Sequence, residues 1–347
     1  MPETAERTLS QRALNRALLE RQSLLTRSRL PLPRLLERVG GIQAQYAPAM
    51  YVSLWTRLAD FERDQLTQAL EQRSAAQGTL LRSTIHLVSA ADYWPFALGT
   101  RAARRGWYER VAKGRPPAAE VAEAAARLRD ALADGPLRRA DIDRLVTKEF
   151  RQGVSEWLDM VRVPPSGTWE RRRADLYAAA EDWLGPPAGT AQDGLELLVR
   201  RYLGGFGPAT RKDVASWAGT TVSDLARVLD RLELRRFQAE DGAELLDLPG
   251  APLPEEDTPA PLRYLPVWDA TLLVHARRTR ILPEEYRGTV FTSRNPHSLN
   301  TFLVDGSVGG SWRHEDGRIA RTEFHPLPAS VRRELDEEAD RLAAFHA

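Results

Sequence analysis

Two stretches of this chain match each other: "GPLRRADIDRL", which begins at Gly135, and "GPATRKDVASW", which begins at Gly207. Both carry arginine four residues after the glycine (Arg139, Arg211), aspartate six after it (Asp141, Asp213), and then Ile142 or Val214. The copies start 72 residues apart (207 less 135), a spacing that suits one small repeated module. In each copy Gly-Pro is followed by a helix. After the second copy, "TTVSDLARVLDRLELRRF" supplies a turn and a second helix from about Val222 to Leu232. "ELRRFQAEDGAELLDLP" then reads as a two-stranded wing turning at Asp241-Gly242. After the first copy, "FRQGVSEWLDMVRVPPSGTWERRR" gives another short helix and a Pro-Gly corner.

The N-terminal third follows the same order. Apolar residues at 9, 14, 18 and 19 predict a helix within residues 8–22. A second helix, near Leu32 to Val39, stops at Gly40-Gly41. Pro48 suits the first turn of a third, through "AMYVSLWTRL". "LEQRSAAQGTLLRSTIHLV" then reads as a turn and a strand. Three helices followed by a β-ribbon is the order of a winged helix-turn-helix. "PGAPLPEEDTPAPLRYLP", residues 249–266, reads as a linker. Beyond it, turns at Asp305-Gly306 and Asp316-Gly317 predict a β-meander closed by a helix from about Pro328 to Phe345. The expectation is an α+β chain: winged-helix modules at 1–100, 101–188 and 189–255, and a C-terminal β-rich domain at 262–347.

The chain has no cysteine, which excludes disulfides, thiolate zinc sites and a cysteine nucleophile. Its six histidines, at 86, 275, 297, 314, 325 and 346, show no helix-face ligand spacing, so neither metal nor cofactor is expected. No apolar run approaches a membrane span, and the charged N-terminus has no signal-peptide core, so a cytoplasmic protein is expected. Net charge is only +1, but only three of the 49 basic residues are lysine: Lys113, Lys148 and Lys212.

Winged helices commonly bind DNA, and phosphate binding needs clustered cations. The densest cluster, "RAARRGWYERVAKGR" at 101–115, holds Arg101, Arg104, Arg105, Arg110, Lys113 and Arg115 around Trp107 and Tyr108. "ERRRAD" at 170–175 is a shorter version. The bland reading of each is a solvated helix face. Arg294, Asn295 and His297 form a polar loop that can reach a groove, with an ordinary surface loop as the default. His86, in "STIHLV", reads as a structural histidine.

"GGIQAQYAPAM" places Gln43 and Gln45 two residues apart between Gly40-Gly41 and Pro48, outside any helix interior. In extended chain such residues project to one side. An amide cannot deprotonate water, but its carbonyl accepts from water and its NH2 donates. Two amides can therefore position a water, which suffices where the substrate ionises readily. A sugar whose base carries a positive alkyl adduct meets that demand. Its departure leaves an oxocarbenium-like centre, unlike ordinary glycoside hydrolysis with its two carboxylates. A Q-x-Q alone is common, and the alternatives of a winged-helix transcription regulator or a non-catalytic DNA binder stay open here.

Taken together, "GGIQAQYAPAMYVSLWTRL", "LLRSTIHLVSAADYW", "VPPSGTW", "FGPATRKDVASWAG", "YLPVWDATLL" and "FLVDGSVGGSW", in that order, resemble the AlkZ/YcaQ-like winged-helix DNA glycosylases across essentially the whole chain. The resemblance implies three tandem winged helices in a C-shape with a C-terminal β-domain. It also implies a catalytic Gln-x-Gln/Asp motif, matched here by Gln43-Ala44-Gln45, with Ala44 smaller than the usual aliphatic. The implied substrate is double-stranded DNA carrying N7-alkylated guanine, including bulky adducts and, in some members, interstrand crosslinks. Several such proteins confer self-resistance on antibiotic producers. A monomer is expected.

Overall fold

The computed structural model describes residues 5–111, 114–275, 278–291 and 298–347, apart from the side chain of Gln152. The N-terminal segment runs β1 (Thr8–Leu9), α1 (Gln11–Arg21), α2 (Leu32–Val39), β2 (Ile42–Gln43), α3 (Ala47–Arg57), α4 (Arg63–Glu71), β3 (Ala75–Thr79) and β4 (Ile85–Ser89). Local chemistry fixes the helix ends. The Ser10 side chain accepts from the Ala13 N–H, and Glu62 with Gln65 makes a capping box for α4. Four helices thus precede the ribbon where three were expected. The extra one, α4, has a short apolar face of Leu66, Ala69 and Leu70 that leaves little periodic signal.

α5 (Ala90–Arg110) is one helix of 21 residues, and the expected module boundary at residue 100 falls inside it. The middle segment continues with α6 (Ala118–Leu132), β5 (Leu137–Arg138), α7 (Arg139–Leu145), α8 (Arg151–Trp157), β6 (Met160–Arg162), β7 (Leu176–Ala179) and α9 (Ala180–Leu184). The third comprises α10 (Ala191–Phe206), α11 (Arg211–Ala218), α12 (Val222–Arg231), β8 (Arg235–Ala239) and β9 (Glu244–Asp247). Helices α7 and α11 begin at the same position of the repeat, Arg139 and Arg211, and each is followed by another helix and a ribbon. In the third segment Thr190, Thr210 and Thr221 each cap a helix reciprocally with the aspartate three residues on.

The C-terminal segment holds β10 (Arg263–Leu265), α13 (Glu284–Val290), β11 (Asn300–Val304), β12 (Ser307–Glu315), β13 (Arg318–Glu323) and α14 (Ala329–His346). Its strands form a four-stranded antiparallel sheet in chain order. β10 lies within the stretch read as linker. Only three residues long, it carries no alternation to read, yet Tyr264 is fully buried in it.

Sheet pairing joins the segments. The order β2-β4-β3-β6-β7-β5 makes one six-stranded sheet from the first two ribbons, linked where Gly78 faces Val161. β1 instead pairs in parallel with β8 of the third segment, Leu9 opposite Ala239. α10 crosses α5 at contact distance: a Cβ on Gly194 would sit 2.3 Å from the Pro95 carbonyl oxygen, so only glycine fits. Buried bidentate pairs tie remote segments as well. Arg21 grips Asp247 at 2.7 and 2.8 Å, and Arg57 grips Asp269 at 2.8 and 2.9 Å.

Candidate active site

Gly40 ends α2 at φ 75°, and Gly41 follows at φ 78°. Two successive left-handed residues turn the chain from the helix into β2, a path that disfavours any side chain. A Cβ on Gly41 would also lie 2.9 Å from Val88. β2 then pairs antiparallel with β4, Gln43 opposite His86, and the next residue leaves the sheet. Ala44 is the pivot. Its side chain is fully buried, its N–H donates to the Ile85 carbonyl at 2.8 Å, and its carbonyl accepts from Arg162 Nη1 at 2.9 Å.

With Ala44 turned inward, its neighbours turn outward. Gln43 is half-buried and Gln45 exposed. Gln43 Nε2 donates to Gln45 Oε1 at 2.7 Å, so the two amides lie on the same side of the backbone, outside any helix. Gln43 Oε1 and Gln45 Nε2 have no partner among the described residues. One acceptor and one donor are thus left on adjoining groups, the pair needed to orient one water.

The histidine beside the amides is neutral. His86 is buried, and its Nδ1 lies 3.0 Å from the Thr84 carbonyl oxygen, which can only accept, so Nδ1 carries the proton. Burial first, then the nearby Arg82 guanidinium, holds the imidazole down to about 3, so it is neutral at physiological pH. The expectation of a structural histidine agrees with this geometry, though pairing places it on the strand beside Gln43. Tyr46, the residue after Gln45, lines a cavity of about 300 Å³ with Pro48, Arg172, Trp312, His314 and His346. Tyr46 is among the exposed large side chains, and the two histidine rings stack at 4.4 Å.

The arginine cluster on α5 is largely turned inward. Arg104 has a side chain 2% exposed; it pairs with Asp159 at 2.9 Å and Glu156 at 3.6 Å and donates to the Thr79 carbonyl at 3.0 Å. It is a core residue, which corrects its expected role as a phosphate contact. Arg101 pairs with the same Asp159 at 2.6 Å. Arg105 donates to the Glu156 carbonyl at 3.1 Å and lies over Trp157. Tyr108 is buried too. Arg110 and Trp107 are exposed, with Arg115 over the Trp107 ring at 5.8 Å. Lys113, Arg294, Asn295 and His297 lie outside the described residues.

The sequence profile of the AlkZ-like DNA glycosylase family matches residues 36–345. The chain belongs to the AlkZ-like DNA glycosylase family. No curated protein gives a significant sequence match. The fold is similar to that of the Streptomyces sahachiroi DNA glycosylase AlkZ, with TM-score 0.79 over 97% of each chain at 20% identity. At that identity the likeness speaks for the fold alone. Membership of the AlkZ-like family makes the chain a DNA glycosylase, a hydrolase acting on N-glycosyl bonds, and sets aside the regulator alternative. Among the described residues, no helix is long and apolar enough to cross a membrane.

What the sequence did not single out is Arg162. It stands in "MVRVPPSG", next to a stretch that carries the resemblance, but nothing local says that its guanidinium reaches a carbonyl 118 positions earlier in the chain.

Proposed function

We propose that the protein hydrolyses the N-glycosidic bond of N7-alkylated guanine in double-stranded DNA, with water held between Gln43 and Gln45. The observation that carries this reading is the 2.7 Å amide contact, which leaves an outward acceptor and donor side by side. N7 alkylation gives the base a positive charge, so it departs as a neutral leaving group. The sugar left behind is an oxocarbenium-like centre, and a water oriented by a carbonyl acceptor captures it with little basic help. Neutral amides suit this electrophile. They add no positive charge, as a protonated histidine or a lysine would.

On this reading the three helix-and-ribbon segments are winged helix-turn-helix modules set in a C around the duplex, and the protein acts as a cytoplasmic monomer. Bulky adducts and interstrand crosslinks are within reach of an open site, since full extrusion into a closed pocket is not demanded. A role in antibiotic self-resistance is compatible with such a substrate range. Arg110 and Arg172 are the candidate phosphate contacts from the two clusters.

The reaction is monofunctional on this view. Strand cleavage through a Schiff base needs an amine at the sugar C1′. None of the three lysines is near Gln43 in the sequence, and Lys148 and Lys212 are exposed on the second and third segments. Incubation with a duplex carrying one N7-methylguanine should yield abasic sites with intact strands. A borohydride-trapped protein–DNA adduct would overturn the water mechanism, and an undamaged base after long incubation would overturn the substrate.

A further inference from the structure

We infer that Arg162 is a positioning residue for the water-binding amides: its guanidinium, contributed by the second ribbon, clamps the peptide between Ala44 and Gln45 in the first segment. The inference rests on the proposed roles of Gln43 and Gln45 and extends them to a residue outside the motif.

Gln45 is exposed, so packing does not set its direction. What sets it is the peptide plane before it. The buried Ala44 side chain and the Ala44 N–H bond to the Ile85 carbonyl fix the Ala44 Cα, from which that plane starts. They leave the rotation of the plane about the following Cα–C bond, and with it the direction of the Ala44 carbonyl, to be set by another contact. Arg162 Nη1 holds that carbonyl at 2.9 Å. Rotation of this one carbonyl would swing Gln45 away from Gln43 and separate the two groups that share the water.

The chemistry of Arg162 suits that task. No carboxylate pairs with it among the described residues; its side-chain neighbour is the Tyr177 hydroxyl. Its Nε is sealed from solvent without a described partner. A guanidinium so placed is a poor phosphate ligand in the free protein, and without an acid partner it is not a structural ion pair either. Anchorage is firm, because β6 joins β3 at Val161, the preceding residue, and β7 on its other side pairs Arg162 with Tyr177. The six-stranded sheet thus carries a clamp from one ribbon to the motif at its far edge.

The test compares Arg162→Ala, Arg162→Lys, Gln43→Ala and Gln45→Ala in the full chain, on duplex with a single N7-methylguanine. Misplacement on the ångström scale costs about 100-fold in rate, so Arg162→Ala should lose about that much single-turnover excision. Its DNA affinity and the salt dependence of binding should be unchanged. Arg162→Lys should recover part of the rate, since an ammonium can still donate to the carbonyl. Added guanidinium at low millimolar concentration should speed Arg162→Ala but not Gln45→Ala. Should the alanine variant fail to fold, Arg162→Met, which keeps the bulk, carries the same comparison. Full activity in the Arg162 variants beside loss in both glutamine variants would overturn the clamp and leave the proposed function standing. A shallower salt dependence would overturn it in favour of a phosphate contact. Full activity in both glutamine variants would instead sink the reading on which it rests.

Discussion

The motif region and the α5 region make opposite use of their side chains. α5 holds the densest positive charge in the sequence, yet Arg101, Arg104 and Arg105 end on acids, a carbonyl and a tryptophan of the same fold. The motif has no charge at all, yet Gln43 and Gln45 turn toward solvent with hydrogen-bonding capacity left over. On the proposed reading, exposure and unmet hydrogen bonds, rather than charge density, separate a working surface from a structural one. A buried arginine that meets a carboxylate holds the fold, and one that meets a lone carbonyl can hold a single loop.

The largest effect should come from breaking the structural side of that contrast. Replacing Arg104 by methionine leaves the buried Glu156 without its cation and Asp159 with Arg101 alone, and burial already pushes the Glu156 carboxyl upward. Loss of one partner of a buried pair costs about 3–5 kcal/mol. Denaturant unfolding should register it, while the salt dependence of DNA binding in whatever remains folded should not change. A stable variant with a shallower salt dependence would return Arg104 to the DNA surface.

The motif side should show the reverse pattern. Gln45→Ala should slow excision by about 10- to 1000-fold, as when one positioning group is lost, with no shift in melting temperature. Gln43→Ala should match it in direction, with a small stability change because Gln43 is half-buried. A melting shift that accounts for the lost rate would make the amides structural and erase the contrast.

Several elements were legible because their signals are local. α2 lies at Leu32–Val39 as read, since Gly40-Gly41 supplies two left-handed residues in a row. Asp305-Gly306 and Asp316-Gly317 turn the meander because both residues of each pair take positive φ. The shared side of the two amides followed from the two-residue spacing. What escaped were pairings made across the chain. The acid partners of Arg104 stand 52 and 55 residues downstream, and β3 meets β6 through one register pair at Gly78, a residue with no side chain to advertise it. β1, two residues long, takes its identity wholly from β8. A charge pattern read along α5 shows the positive half of each bond and not the acid that meets it.

Acid should disturb the fold through its buried neutral histidines, one beside the motif and one at the end of α10. His86 beside the motif and His275, bound to the Phe206 carbonyl, are both held down to about 3 by burial first. Their ordinary value is 6.5, so the unfolded chain takes up protons between about pH 6.5 and 3 that the folded chain refuses. Stability therefore falls as pH drops through that window, by up to about 1.4 kcal/mol per pH unit for each histidine. His275→Gln should flatten the dependence by one proton's worth, read from urea midpoints across the window. An unchanged slope would mean that His275 is protonated in the folded state.

The smallest effect is expected at Arg110, and it bears on the contrast most directly. Arg110 lies at the end of α5, on the same helix as Arg104, but it is exposed and has no ion-pair partner among the described residues. The exposed Trp107 ring lies one turn before it. If α5 has a DNA-facing part, it is this last turn. One phosphate neutralised by one arginine contributes about 0.9 to the slope of log affinity against log salt. Arg110→Ala should lower the slope by about that amount on undamaged and damaged duplex alike, since a backbone contact does not read the base. Unfolding should be unaffected, and so should the single-turnover rate at saturating protein, because Arg110 is not part of the motif. A slope unchanged in Arg110→Ala would mean that no part of α5 meets the duplex. A rate loss at saturation would mean that this end of the helix helps to place the lesion.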